Sequence, residues 1–203
     1  MVVSLFTDWF DIVNCPGLDD DCIVTVWSLE NERLRIRQIL TDELWGQITA
    51  LQLDQTESIN TKRHTIMFVG TGEGTVSVCV LEQNGQFSAE KVTVCPFDTH
   101  QPVSHLKYNS VARRLVVGGM AGAVAFYEFE AEGSILALRL NHLFNRNVMD
   151  IPFDIHFVGS RAESVLVHCI RDGRMCCLDV ATGKQVWSKK VTYEGSLYVR
   201  PLL

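Results

Sequence analysis

What the sequence lacks narrows its chemistry first. It has no Gly-x-Ser-x-Gly elbow, so none of the Ser or Cys, His and acid triplets that can be drawn on its 203 residues has a nucleophile motif behind it. Its seven cysteines (Cys15, Cys22, Cys79, Cys95, Cys169, Cys176 and Cys177) are an odd number without paired metal spacing. Its six histidines (His64, His100, His105, His142, His156 and His168) fall in separate segments, so no zinc-ligand pattern forms and neither metal nor cofactor is expected. No apolar run reaches membrane-spanning length, and MVVSLFTDWFDIVNC carries acids where a secretory leader carries base. An N-x-Ser/Thr acceptor is also missing. With free cysteines in strand-like runs, these absences fit a reducing, cytoplasmic or nuclear setting and no membrane partner. Basic clusters are scarce too. Lys62 and Arg63 sit beside Glu57 in a chain of net charge −6, which gives nucleic acid no footprint.

Helical periodicity is scarce as well, and strand alternation fills the space. The stretch His64 to Glu82, HTIMFVGTGEGTVSVCVLE, sets two alternating apolar runs around a glycine-rich turn and spells a β-hairpin. Related turns recur at Asp21-Cys22, Glu73-Gly74, Ala121-Gly122 and Asp172-Gly173, about fifty residues apart, a period that fits four strands and belongs to propeller blades. The second unit predicts strands over Ile48 to Leu53, Thr65 to Gly70, Thr75 to Glu82 and Phe87 to Cys95. The third predicts them over Val103 to Tyr108, Arg114 to Gly118, Ala123 to Glu130 and Ile135 to His142. The fourth predicts Phe153 to Val158, Ser164 to Ile170, Arg174 to Val180 and Lys184 to Val191. With 47% hydrophobic residues, one domain spanning 1–203 is expected. Its units are 1–43, 44–97, 98–145 and 146–194, with 195–203 a closing or next-blade strand.

These residues resemble the WD-repeat β-propellers. Thr99-His100-Gln101-Pro102-Val103 is similar to the family's Gly-His approach to an innermost strand, and Leu106, Tyr108 and Asn109 follow it. The dipeptide position that names the family holds Trp27-Ser28, Cys79-Val80, Tyr127-Glu128 and Leu178-Asp179, never the literal Trp-Asp. The resemblance implies an all-β propeller of four-stranded antiparallel blades, either about four of them or an arc of a larger ring, and a structural hydrogen bond for His100. It covers roughly Asp21 to Val191. No unit carries the family's complete buried network, since Asp172 is kept in the fourth turn but Ala121 replaces it in the third.

Other motifs have plain readings. Gly70-Thr71-Gly72-Glu73-Gly74 leads into a strand, whereas a phosphate cradle must open a helix. Cys176 and Cys177 are adjacent on a strand, so their sulfurs diverge. Asp19-Asp20-Asp21 is a charged turn rather than a calcium loop. DQTESINTKRH, Asp54 to His64, is longer than the usual hairpin loop and reads as a disordered insertion rather than a functional loop. The tail DVATGKQVWSKKV looks like an outer WD-repeat strand and also like one copy of a quinoprotein repeat.

The function expected is a non-enzymatic scaffold that binds protein partners through loops on one propeller rim, at Trp45, Gln47, Glu73, Gln101, Met120, Arg146 and Asp172. The competing readings are a quinoprotein-like or other small-ligand propeller enzyme and a fragment of a larger WD-repeat protein without independent function. The ligand enzyme predicts polar residues at the start of each innermost strand, where Ile48, Val103, Phe153 and Leu197 stand. An incomplete propeller would leave strand edges and apolar faces open to self-association.

Overall fold

The computed structural model describes residues 2–5, 8–14, 22–30, 33–40, 48–57, 63–81, 87–132, 137–171 and 173–191, with side chains placed for 48–54, 66–80, 91–131, 138–171 and 173–191. Every regular element among them is a strand. The first sheet joins β1 (Val2–Leu5), β2 (Asp8–Asn14), β3 (Cys22–Glu30) and β4 (Arg33–Leu40). The second joins β5 (Ile48–Glu57), β6 (Arg63–Thr71), β7 (Val76–Leu81) and β8 (Phe87–Val94). The third joins β9 (Val103–Asn109), β10 (Arg114–Gly119), β11 (Ala123–Glu132) and β12 (Ala137–Asn147). The fourth joins β13 (Pro152–Val158), β14 (Ser164–Cys169), β15 (Arg174–Asp179) and β16 (Gln185–Lys190).

Each sheet is an antiparallel meander in chain order, because short turns can join only antiparallel neighbours. The first strands of the second, third and fourth sheets lie against one another, β5 on β9 and β9 on β13, and so form the inner edge of the arc. One irregularity repeats in all four sheets. The pairing of third and fourth strands slips between Val26 and Trp27, Cys79 and Leu81, Phe126 and Tyr127, and Cys177 and Leu178. That is the dipeptide position of the sequence repeat. A bulge bends a strand and increases its twist, so each blade turns its outer strand at the same point.

Alternation along the strands of the third sheet sorts its side chains into two cores. Leu115, Val117, Ala125, Tyr127 and Phe129 face the second sheet, where Phe68, Tyr108 and Phe129 meet with ring centroids 4.8 to 5.6 Å apart. Val116, Val124 and Phe126 face the fourth sheet and meet Ile155, Val165 and Val167. A sheet buried on both faces is apolar on both, which is why LVV in β10 breaks strict alternation. Burial, with the Asp54 charge adding to it, pushes the Tyr108 phenol up to about 12.

Two expectations are corrected by the strands' lengths. The polar segment from Asp54 is no long loop: Thr56 pairs with His64 and Glu57 with Arg63, so β5 and β6 extend as a hairpin and only 58–62 lie between them. A two-stranded ribbon can project past the packed core because its own ladder satisfies its backbone. The last strand of the third sheet runs to Asn147, two residues past the expected boundary of its unit. Asp19, Asp20, Asp21 and Leu197 lie outside the described residues. As read from the sequence, Cys176 and Cys177 take opposite faces, Cys176 opposite Ser188 and Cys177 opposite Trp187.

Candidate interaction rim

One end of the sheets gathers the β6–β7, β10–β11 and β14–β15 turns together with the two connections that lead into β9 and β13. The β6–β7 turn is set by Thr71, whose Oγ1 accepts the Thr75 amide at 3.1 Å while its carbonyl accepts the Gly74 amide at 3.1 Å. Gly74 has φ +80°, and a Cβ there would stand 2.6 Å from the Gln101 carbonyl oxygen, so glycine is required twice over. The connection from the second sheet to the third is thereby laid directly on this turn.

Gln101 ties the same connection to the next turn. Its Oε1 accepts the Ala121 amide at 2.7 Å and its Nε2 donates to Thr99 Oγ1 at 3.3 Å. The following connection repeats the scheme with a different residue. Asp150 Oδ2 accepts the Arg171 amide at 2.9 Å, and the Asp150 backbone covers Gly122, which has φ +88°. Parallel bonds complete each strap: the Met120 amide donates to the Pro102 carbonyl at 3.1 Å, and the Ile170 amide to the Ile151 carbonyl at 3.0 Å.

This framework holds bulky apolar side chains out in water. Met120 is 48% exposed and Ile170, at the equivalent turn position, 54%. Met149, in the connection between them, is 87% exposed and has φ +62°, a left-handed conformation costly for a side chain of its kind. Asn147 Oδ1 holds it there by accepting the Met149 amide at 2.7 Å. Half-exposed Phe153 continues the patch onto β13, its ring edge-on to His168 at 5.6 Å. Glu73 adds a solvent-facing acid on the neighbouring turn.

Of the positions singled out in the sequence, Glu73 and Met120 are exposed on this rim. Trp45, Gln47 and Asp172 lie outside the described residues. Gln101 is corrected: at 8% exposure, with its amide oxygen spent on Ala121, it is a buried strap and offers a partner nothing. Arg146 is exposed too, but its side chain is engaged within the chain. It belongs to outer strand β12, and its Nε and Nη2 donate to the Gly183 and Thr182 carbonyls, each at 2.9 Å, clamping the β15–β16 turn of the next sheet. His100, expected in a buried hydrogen bond, is exposed. Its neighbour Gln101 occupies the inward position, since one step along an extended chain reverses the side chain. Sequence reasoning missed Met149 and Ile170. The available signal was an apolar residue among polar ones where no strand face demanded it.

The inner edge carries the other polar group of interest. Ile48 and Val103 at the starts of β5 and β9 are buried and Phe153 is half-exposed, but ionisable residues follow further along. Burial lowers the His105 pKa below its ordinary 6.5, against the opposing pull of the Asp154 charge and a hydrogen bond to the Phe153 backbone. Its Nδ1 is buried and has no hydrogen-bond partner among the described residues. His156 Nε2 meets Asp154 Oδ2 at 2.7 Å in solvent.

No family model and no curated protein matches the chain in sequence. Solved structures match it in fold. The WD40 domain of Toxoplasma gondii coronin superposes with a TM-score of 0.67 at 10% identity, over 93% of this chain and 44% of that one. The β-propeller domain of Myceliophteria thermophila Cps50 (Swd1) gives 0.60 at 11% identity, over 91% and 56%. Saccharomyces cerevisiae Sqt1 gives 0.55 at 15% identity, over 88% and 46%. The chain thus spans about half the length of the propellers it matches. With its repeated bulge, its meandering four-stranded sheets and these superpositions, the chain has the fold of the WD40 β-propeller domains.

Proposed function

We propose that the chain is a non-enzymatic WD-repeat scaffold that binds a protein partner through the rim of turns and connections. The observation that carries this is the apolar group Met120, Met149 and Ile170, displayed in water by two turns and a connection strapped to one another. Monomeric surfaces seldom gather large apolar side chains without a partner for them. Methionine suits the purpose because its unbranched, polarisable side chain adapts to the surface it meets. The strained backbone at Met149 is maintained for display, since burial gains nothing from it. Glu73 belongs to the same surface, and Trp45, Gln47 and Asp172 join the proposal by their place between the strands of the repeat.

The test is a quantitative pull-down of the chain tagged at its native locus, comparing Met149→Asp with Ile170→Asp and with Val111→Asp on the opposite rim. Val111 is 79% exposed and serves as an equally solvated control. Loss of stoichiometric partners in the first two and retention in the third is the expected result. Retention in all three, with the variants folded, overturns the proposal.

A further inference from the structure

A second surface stands apart from the rim. Strand β16 is the outer edge of the fourth sheet, paired on one side with β15 and, among the described strands, with none on the other. Its six residues, QVWSKK, are nearly all exposed. From 181 to 190 the sequence holds Lys184, Lys189 and Lys190 and no acid, in a chain of net charge −6. Trp187 is 39% exposed and Val186 60%.

Edge strands commonly carry lysine to discourage pairing with other chains. That explains Lys189 and Lys190, but an edge protected in this way does not also display tryptophan and valine. Val186 is the extra residue of the bulge, skipped between the Gln185–Leu178 and Trp187–Cys177 pairs. Beyond it Trp187 and Lys189 share one face, and Ser188 and Lys190 the other. The half nearer the turn is apolar and the other half cationic, beside an open row of backbone donors and acceptors.

We propose that β16 receives an extended acidic peptide segment of a partner protein as a fifth strand. The backbone ladder gives the affinity and the side chains the selectivity. Carboxylates of the peptide face Lys189 and Lys190, and its apolar residues cover Trp187 and Val186. A nucleic acid fits less well, because it cannot complete a backbone ladder. The inference is independent of the rim, since it uses different residues on the outer face of a different strand.

The probe is a fluorescein-labelled peptide of alternating Glu and Val, titrated into the full chain at low salt and read by anisotropy. Saturable binding is expected, weakened about tenfold or more by the Lys189→Glu, Lys190→Glu pair and by raising salt to half-molar. A probe N-methylated on every backbone nitrogen keeps its charge but cannot donate to the strand from either edge, and it is expected to lose binding. No binding of the parent peptide overturns the proposal. So does undiminished binding to the charge-reversed chain, checked as folded by circular dichroism, or equal binding of the N-methylated probe, which would show charge attraction alone.

Discussion

The two connections along the rim do the same mechanical task with opposite surfaces. The one from the second sheet to the third turns a polar residue inward: Gln101 is buried and bonded to Ala121. The one from the third sheet to the fourth uses Asp150 for the same strap and turns Met149 outward in a left-handed conformation. A repeat that needs only to be tied down could use either. That the second carries an exposed methionine at an energetic cost separates fastening from display, and display is what a partner would require.

Substitutions beneath and within the two straps sharpen this contrast. The largest effect is expected from Gly74→Ala, where a positive φ and a Cβ 2.6 Å from the Gln101 carbonyl combine. It should lower stability by about 2–4 kcal/mol in urea denaturation. Gly122→Ala, with the Asp150 oxygen 3.0 Å away, should cost less, about 1–2 kcal/mol. If the two cost the same, the connections do not differ in how tightly they press on their turns. Gln101→Ala leaves the Ala121 amide without its acceptor and should cost about 1–2 kcal/mol while sparing partner binding. Met149→Gly should do the reverse, raising stability by about 0.5–1 kcal/mol by relieving the left-handed strain while weakening the partner.

A smaller, pH-linked effect belongs to the inner edge. The folded chain holds His105 below its ordinary pKa of 6.5, chiefly by burial, so the unfolded chain takes up the proton first as pH falls. The stabilisation is complete above pH 6.5, declines as pH drops through that value, and levels off below the folded-state pKa. His105→Gln should flatten this part of the stability profile between pH 7.5 and pH 5, measured by urea denaturation at each pH. An unchanged slope would assign the titration to other histidines.

The architecture was largely legible because its determinants are local. Gly74, Gly122 and Gly173 all take positive φ where the sequence placed hairpin turns, and alternation located every strand of the second to fourth units. The long polar hairpin after Leu53 was not legible, since Gln, Thr and Glu lack the apolar pattern on which a strand assignment rests. The rim was read only in part. Glu73 and Met120 face water as expected, but Gln101 looks polar and proved buried because a connection, unlike a strand, has no fixed period to say which residue points in. The Arg146 clamp was not legible for another reason: the bond it makes is to a turn 36 residues further along, and no local pattern encodes it. Met149 depends on a backbone conformation that its side chain does not advertise.

The most direct test of the display account is site-specific photocross-linking in the native cell, with a benzoylphenylalanine at position 149 and, in parallel strains, at position 170 and at position 111 on the opposite rim. The account predicts one discrete protein adduct from 149, reproduced at 170 and absent from 111. Adducts from 111 alone, or the same adducts from all three positions, would contradict it.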